Sequence, residues 1–205
     1  MIKLYENDLP ENAITGDSVA IDTETLGLNI FNDRLCLVQI STGDSTAHIV
    51  KFSDGNSYAK AKNLIKLLEN DSIEKIFHFA RFDVCILNKS FGINIKNIYC
   101  TKIASKLART YTDRHGLKEL CRDLIGVEIS KHEQTSYWGD TELRQEQLKY
   151  AANDVLHLHR IKEKLNYMLA REGRLDICKE CFLTLEKVVV PFDLSNKNFS
   201  NFFEH

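Results

Sequence analysis

Hydrophobic residues in the first quarter of the chain come in short runs, and this pattern predicts β-strands. The runs cover residues 18–22, 35–40 and 46–50, and each has the length of a strand and is bounded by polar or turn-forming residues. Because the connections between them are short, we expect the three strands to form an antiparallel meander.

Beyond residue 57 the hydrophobic pattern changes to the period of a helix. Two short apolar runs, 74–79 and 98–100, predict further strands, and Gly92 and Gly126 stand where helices should end. Hairpin strands followed by alternating helices and strands indicate an α/β fold with a mixed central sheet flanked by helices. The predicted helices are 58–69, 81–91, 102–107, 117–125, about 143–171 and 175–185.

Length and composition are those of one globular domain. The chain has 205 residues, of which 43% are hydrophobic, enough to bury a core without disulfides or metals. We therefore predict a single domain over 1–205, in which 174–205 forms a C-terminal extension used in packing or oligomerisation. Phe199, Phe202 and Phe203 give the end of this extension its aromatic character.

The charge balance limits the ways in which the protein can bind nucleic acid. Its 27 Lys and Arg stand against 29 Asp and Glu, for a net charge of −2. This excludes a protein held to nucleic acid mainly by a basic excess, but not one that handles a nucleic-acid end through metal ions. With no 18-residue apolar run and no apolar signal core at the N-terminus, we expect a cytoplasmic protein that does not enter membranes.

Carboxylates lie on or at the end of three predicted elements. Asp22 and Glu24 come where an apolar strand ends, Asp83 lies in the first turn of a helix, and Tyr150 and Asp154 share a helix face. The first two have an ordinary interpretation by themselves, as a solvated turn and as a helix-capping acid. A phenol beside a carboxylate that faces the sheet packs poorly and indicates a ligand. Together they would form a cluster of hard oxygen ligands suited to two Mg²⁺ or Mn²⁺ ions, which would clamp a phosphodiester during its hydrolysis.

The order Asp-x-Glu, Phe-Asp, Tyr-x-x-x-Asp resembles the DEDD superfamily of 3′–5′ exonucleases, in its tyrosine-bearing branch. The resemblance covers about residues 17–165 and fills all five family positions. The segments 22–28, 75–83 and 100–107 resemble those of the nano-RNase C family, short relatives of ribonuclease D. Cys100, where an aspartate is usual in ribonuclease D, and His78, where the superfamily often has asparagine, depart from the common pattern.

The resemblance implies a ribonuclease H-like fold and an enzyme that hydrolyses short oligoribonucleotides, especially dinucleotides, to 5′-monophosphates. It also implies a first metal held by Asp22, Glu24 and Asp154, and a second metal bridged by Asp22 and reached by Asp83. Tyr150 would orient the attacking water, and the chain would assemble into a ring-like homo-oligomer. An exonuclease on longer RNA or DNA remains open, and so does a non-catalytic binding module, although the latter would be expected to lack a metal-site carboxylate.

Several residues are candidates for substrate contact, and most of them have a second interpretation. Leu28, which follows Thr25 in the resembling segment, stands where related enzymes place a leucine wedge between two bases, or else packs in the core. His78 would approach the scissile phosphate or be a core histidine, while Arg109 and Arg114 would contact phosphates or line a solvated helix face. The substrate-binding candidates are Leu28, Thr25, His78, Arg109 and Arg114.

Overall fold

The computed structural model of the protein describes residues 1–130, 132, 133 and 135–188. Within these residues six strands form one sheet in the order β1-β4-β3-β2-β5-β6. Neighbouring strands β2, β3 and β4 are antiparallel, whereas the pairs β1/β4, β2/β5 and β5/β6 are parallel. The strands are β1 Ile2–Glu6, β2 Ser18–Thr25, β3 Leu35–Ser41, β4 Ala47–Lys51, β5 Glu74–Phe77 and β6 Ile98–Cys100.

Helices cover both faces of this sheet, which confirms the predicted α/β architecture. Helix α5 packs against β1 to β4, α2 packs against β3, β5 and β6, and α7 packs against β6, α3 and α6. The helices are α1 Lys62–Glu69, α2 Ala80–Phe91, α3 Thr101–Ala108, α4 Leu117–Ile125, α5 Gln145–Leu156, α6 Leu158–Arg171 and α7 Leu175–Val188. No helix in the described part of the chain has the length and apolarity needed to cross a bilayer.

The antiparallel meander and the helix ends at Gly92 and Gly126 are confirmed. Both glycines adopt the left-handed conformation, with φ of 68°, which costs glycine little because it has no side chain. Strand β1 was not predicted from the sequence. It is an edge strand that pairs in parallel with β4, more than forty residues away, so its stability depends on a non-local partner.

Two of the predicted helices are wrong in extent. The segment 58–69 divides into a 3₁₀ helix, Gly55–Lys60, and α1. The single helix predicted for 143–171 is broken at His157 into α5 and α6. The break lets α5 lie on the sheet while α6 packs against α3, α4 and β5. The predicted apolar stripe continues through both helices, so the hydrophobic period alone does not reveal the break.

The fold brings the ends of several elements to one edge of the sheet. Because β2 and β5 are parallel, their carboxyl ends point the same way, and α2 starts just beyond β5. Helix α7 accounts for residues 175–188 of the predicted extension; the aromatic residues of 189–205 lie outside the described residues.

Candidate active site

Three carboxylates from two elements meet at this edge. Asp22 and Glu24 lie two residues apart on β2 and so leave the same face of the strand. Helix α5 crosses that face and contributes Asp154. One ligand atom from each of the three residues lies within 4.8 Å of the other two. The fold therefore gathers acids that are about 130 positions apart in the chain.

Tyr150 lies one helical turn before Asp154 on α5. Its hydroxyl lies close enough to the Asp154 carboxylate for the two groups to interact, and its ring lies 6.1 Å, centre to centre, from that of Trp138. Trp138 is 3% exposed and belongs to a buried cluster with Ala151 and Leu148. Trp138 is thus a core residue that supports the Tyr150 ring.

Asp83 reaches the site from the opposite face of the sheet. It lies in the first turn of α2, is 4% exposed, and accepts a hydrogen bond of 2.6 Å from the Thr23 hydroxyl. Thr23 stands between Asp22 and Glu24, so its side chain points to the other face of β2, where α2 packs. One short stretch of β2 therefore carries two carboxylates on one face of the sheet and binds a third on the other.

The turn from β5 into α2 is made by a strained residue. Phe79 has φ of 66° and ψ of 45°, the left-handed conformation that residues other than glycine rarely adopt. It connects His78, directly after β5, to the helix that carries Asp83. Such strain is typical of chain segments that orient functional side chains.

Burial, and for some of them repulsion by a neighbouring acid, raises the pKa values of the acidic residues. Burial raises the pKa of Asp22 from its ordinary value of 3.8 to about 7. Burial, followed by repulsion from the neighbouring carboxylates, raises the pKa of Glu24, and burial and the charge of Asp22 do the same for Asp83 and Asp154. Burial and these acids also raise the pKa of the Tyr150 phenol, so Tyr150 keeps its proton at neutral pH.

This donor set fits divalent magnesium or manganese. Oxygen ligands around Mg²⁺ lie at about 2.1 Å from the ion, so the separations among Asp22, Glu24 and Asp154 suit ligands of one cation. A cation would also offset the mutual repulsion that raises the carboxylate pKa values. Asp83 stands beside this group, close enough to Asp22 for the two charges to interact.

Leu28 projects into solvent from the loop between β2 and β3. It is 86% exposed, so its interpretation as a core residue is wrong. Lys89 on α2 holds the same loop by donating hydrogen bonds to the Ile30 and Phe31 carbonyls at 2.5 and 2.6 Å. The loop therefore presents an apolar side chain from a backbone that is anchored to the helix of Asp83.

Thr25 and His78 lie close in sequence to the acidic residues. Thr25 ends β2 and donates a hydrogen bond of 2.5 Å to the Gly27 carbonyl. The Thr101 hydroxyl donates to the Phe77 carbonyl at 3.1 Å and has no second proton, so His78 Nδ1 is the donor in the 2.9 Å contact between His78 and Thr101. Substrate contact by Thr25 and His78 stays a prediction.

The two predicted phosphate-binding arginines differ in their surroundings. Arg109 is 2% exposed, and its guanidinium donates to the Asp123 carboxylate at 2.6 Å and to the Arg114 carbonyl at 2.9 Å. The side chain is used inside the protein to join α4 to the loop before it, so the interpretation of Arg109 as part of a solvated helix face is wrong. Its contact with phosphate stays a prediction. Arg114 is exposed, and its contact with phosphate stays a prediction.

Two residues next to the acidic cluster were not singled out from the sequence. Thr23 was treated only as the spacer in Asp-x-Glu, although the alternation of a strand already places it on the face opposite Asp22. Gln39 is a polar residue within the apolar run of β3 and lies directly opposite Asp22. The isolated glutamine was a visible signal, but its neighbour became known only with the strand register.

Comparisons with known proteins show the family of the chain. The model of a family described as 3′-5′ exonuclease matches residues 5–170. Ribonuclease D of Gluconacetobacter diazotrophicus is 34% identical over 158 residues, which are 77% of this chain and 39% of the relative. The chain thus spans about two fifths of that relative's length.

Solved structures extend the similarity over nearly the whole chain. Brucella melitensis NrnC bound to pGG is 52% identical, with a TM-score of 0.87 over 92% of this chain and 91% of that one. Brucella melitensis NrnC with bound Mg²⁺ is 48% identical, with a TM-score of 0.86 over 97% and 95% of the two chains. The chain therefore belongs to the 3′-5′ exonuclease family of the DEDD type, and within it is similar to ribonuclease D and to NrnC.

Proposed function

We propose that this protein is a 3′–5′ exoribonuclease that hydrolyses short oligoribonucleotides, dinucleotides above all, to 5′-monophosphates. The observation that carries the proposal is the convergence of Asp22, Glu24, Asp83 and Asp154 at one edge of the sheet, beside Tyr150. The similarity to NrnC, one structure of which is bound to pGG, supports a two-nucleotide substrate. The near-neutral net charge also agrees, because a substrate this short needs few phosphate contacts.

The carboxylates and Tyr150 have different roles in hydrolysis. Asp22, Glu24 and Asp154 would hold one divalent cation, and Asp22 and Asp83 would hold a second. Cations at these residues would lower the pKa of water and neutralise charge on the phosphate. Tyr150 keeps its proton, is packed against the Trp138 ring beside Asp154, and orients the water that attacks phosphorus.

Exposed apolar and aromatic side chains near the site suit the bases of the substrate. Leu28 is 86% and Tyr137 61% exposed, and Leu26 approaches the backbone of Gly139, next to the Tyr137 segment. Such side chains pack against nucleobases without selecting among them. In the proposal Leu28 separates the last two bases, so that a terminal nucleotide occupies the site.

Variants of the acidic residues test the chemistry. We expect Asp22→Ala and Asp154→Asn to abolish hydrolysis of a dinucleotide while the protein keeps its fold, because each variant removes a cation ligand. The metal-free Asp154→Asn protein should be no less stable than the wild type, since one repelling charge is gone. Asp176→Asn on α7, whose side chain is 96% exposed, is the control. Unchanged turnover in Asp22→Ala or Asp154→Asn would contradict the site.

A length series tests the substrate class. Turnover of end-labelled dinucleotides is compared with turnover of RNA and DNA about ten residues long, at equal concentration of 3′ ends and at several salt concentrations. We expect the dinucleotide to be hydrolysed fastest. Faster hydrolysis of the longer strands would favour an exonuclease of broader, ribonuclease D-like action.

A further inference from the structure

Gln39 is a polar residue buried in the middle of an apolar strand. Every residue of β3 is buried, and Gln39 is 0% exposed. Neither the nitrogen nor the oxygen of its carboxamide has a hydrogen-bond partner among the described residues. Burying an amide without a partner is unfavourable, and nearly all buried polar groups in folded proteins are paired. Because this burial lowers the stability of the protein, a glutamine at position 39 indicates a functional role.

The strand register places Gln39 beside a residue of the acidic site. In the antiparallel pairing of β2 and β3, Gln39 stands directly opposite Asp22, and on its other side it stands opposite Ile49. Side chains of directly opposed residues leave the same face, with Cβ atoms about 4.5–5.5 Å apart. The helix α5 side of this face is apolar, with Leu148 and Ala151 in one buried cluster with Ile49. Asp22 is thus the polar residue that the β2/β3 register places beside Gln39.

We propose that Gln39 is a positioning residue for the cation site: when a cation binds, the carboxamide N–H of Gln39, which has no partner among the described residues, donates to the Asp22 carboxylate and holds it in the orientation that binds the cation. This inference rests on the proposed function, in which Asp22 is a ligand shared by both ions. Carboxylates that bind metals are generally held by further hydrogen bonds, and losing such a partner costs about 10- to 100-fold in metal affinity or activity. The buried location strengthens the bond because little water competes for it.

The stability of the metal-free protein and its affinity for Mn²⁺ together distinguish a positioning role of Gln39 from a structural one. Gln39→Met keeps the length and approximate volume of the side chain but removes the carboxamide. If the amide serves the cation site, the metal-free variant will be as stable as the wild type or more stable, because an unpartnered buried group is gone. Its affinity for Mn²⁺ will nevertheless fall by about 10- to 100-fold. A structural glutamine would produce the opposite effect on the metal-free protein.

The experiment measures metal binding without RNA. Mn²⁺ is titrated into the full chain and followed by electron paramagnetic resonance of the free ion and by calorimetry, and urea unfolding is measured in EDTA. Ser41→Ala is the matched control, because Ser41 lies on the same face of β3, is equally buried, and stands opposite Ala20 instead of a carboxylate. We expect Ser41→Ala to bind Mn²⁺ with wild-type affinity.

Each outcome distinguishes this inference from the proposed function. Weaker Mn²⁺ binding by Gln39→Met, with metal-free stability unchanged or raised, supports the role of Gln39. Wild-type Mn²⁺ affinity in Gln39→Met, or a loss of metal-free stability, overturns that role while leaving the proposed function intact. Failure of the wild type to bind Mn²⁺, or wild-type binding by Asp154→Asn, overturns the cation site and the role of Gln39 together.

Discussion

Among single residues, Thr23 shows how a side chain between two ligands can support a third acid. Asp22 and Glu24 point to the α5 face of the sheet, while the Thr23 hydroxyl donates to Asp83 on the opposite side at 2.6 Å. Asp83 is nearly fully buried, so the loss of this bond would leave a carboxyl group without one of its donors. The same three-residue segment thus connects both halves of the acidic site.

We expect Thr23→Val, which keeps the shape of the side chain, to destabilise the protein by about 1–3 kcal/mol, because a buried hydrogen-bonding group loses its partner. Dinucleotide hydrolysis should fall as well, since Asp83 is no longer held in place. Urea unfolding and initial rates measure the two effects. Thr23→Ser keeps the hydroxyl and should retain most of the activity; equal losses in both variants would show that the methyl group matters instead.

Among the elements, the loop between β2 and β3 is ordered by contacts within the loop and with α2. The Asp33 carboxylate accepts from the Asn29 backbone N–H at 2.8 Å. A Cβ on Gly27 would lie 2.4 Å from that carboxylate, so a side chain at position 27 would displace it. Lys89 joins the loop to α2 through two backbone carbonyls. The position of Leu28 therefore depends on the helix that carries Asp83.

We expect Lys89→Met to raise KM for a dinucleotide several-fold with a small effect on kcat. The loop that presents Leu28 loses its anchor, while the acidic residues keep their positions. Steady-state kinetics separates the two constants, and hydrogen exchange of residues 26–34 should increase. Lys66→Met, a change at an exposed position of α1, is the control. A fall in kcat with unchanged KM would show that Lys89 acts on the chemistry and not on the loop.

For the whole molecule, folding concentrates acids in a place where they repel one another. The sheet and two helices bury carboxyl groups whose pKa values rise above their ordinary values. The clustered acids therefore destabilise the metal-free protein, although they form a site for cations. Ring assembly, which the family resemblance implies, stays a prediction.

This arrangement predicts an unusual dependence of stability on pH. Between about pH 4 and about pH 7, Asp22 is ionised in the unfolded chain but protonated in the folded one, so the folded protein binds more protons and its stability falls as pH rises. Mg²⁺ binds the ionised acids, so its stabilising effect should grow over the same range. Thermal unfolding with EDTA or Mg²⁺ at several pH values measures both trends. Asp22→Asn should flatten the decline in EDTA, and a Mg²⁺ effect independent of pH would contradict the argument.

Much of the fold follows from local patterns. Strands β2 to β4, the helix ends at Gly92 and Gly126, and the apolar stripe of α5 and α6 depend on alternation, on helical period and on glycine conformation. Strand β1 and the break at His157 depend on packing against distant elements, and no glycine or proline marks either of them. Charge is likewise an incomplete guide to exposure. Arginine side chains usually lie in solvent, but Arg109 is buried because Asp123 neutralises its charge.

Strand alternation and helical period are local properties, so the amino-acid pattern alone pairs Asp22 with Glu24 and Tyr150 with Asp154. The contact of Thr23 with Asp83, the position of Gln39 opposite Asp22 and the exposure of Leu28 became known only from the folded chain. Those relations depend on strand register, helix placement and loop anchoring, which are set by contacts between residues far apart in the chain.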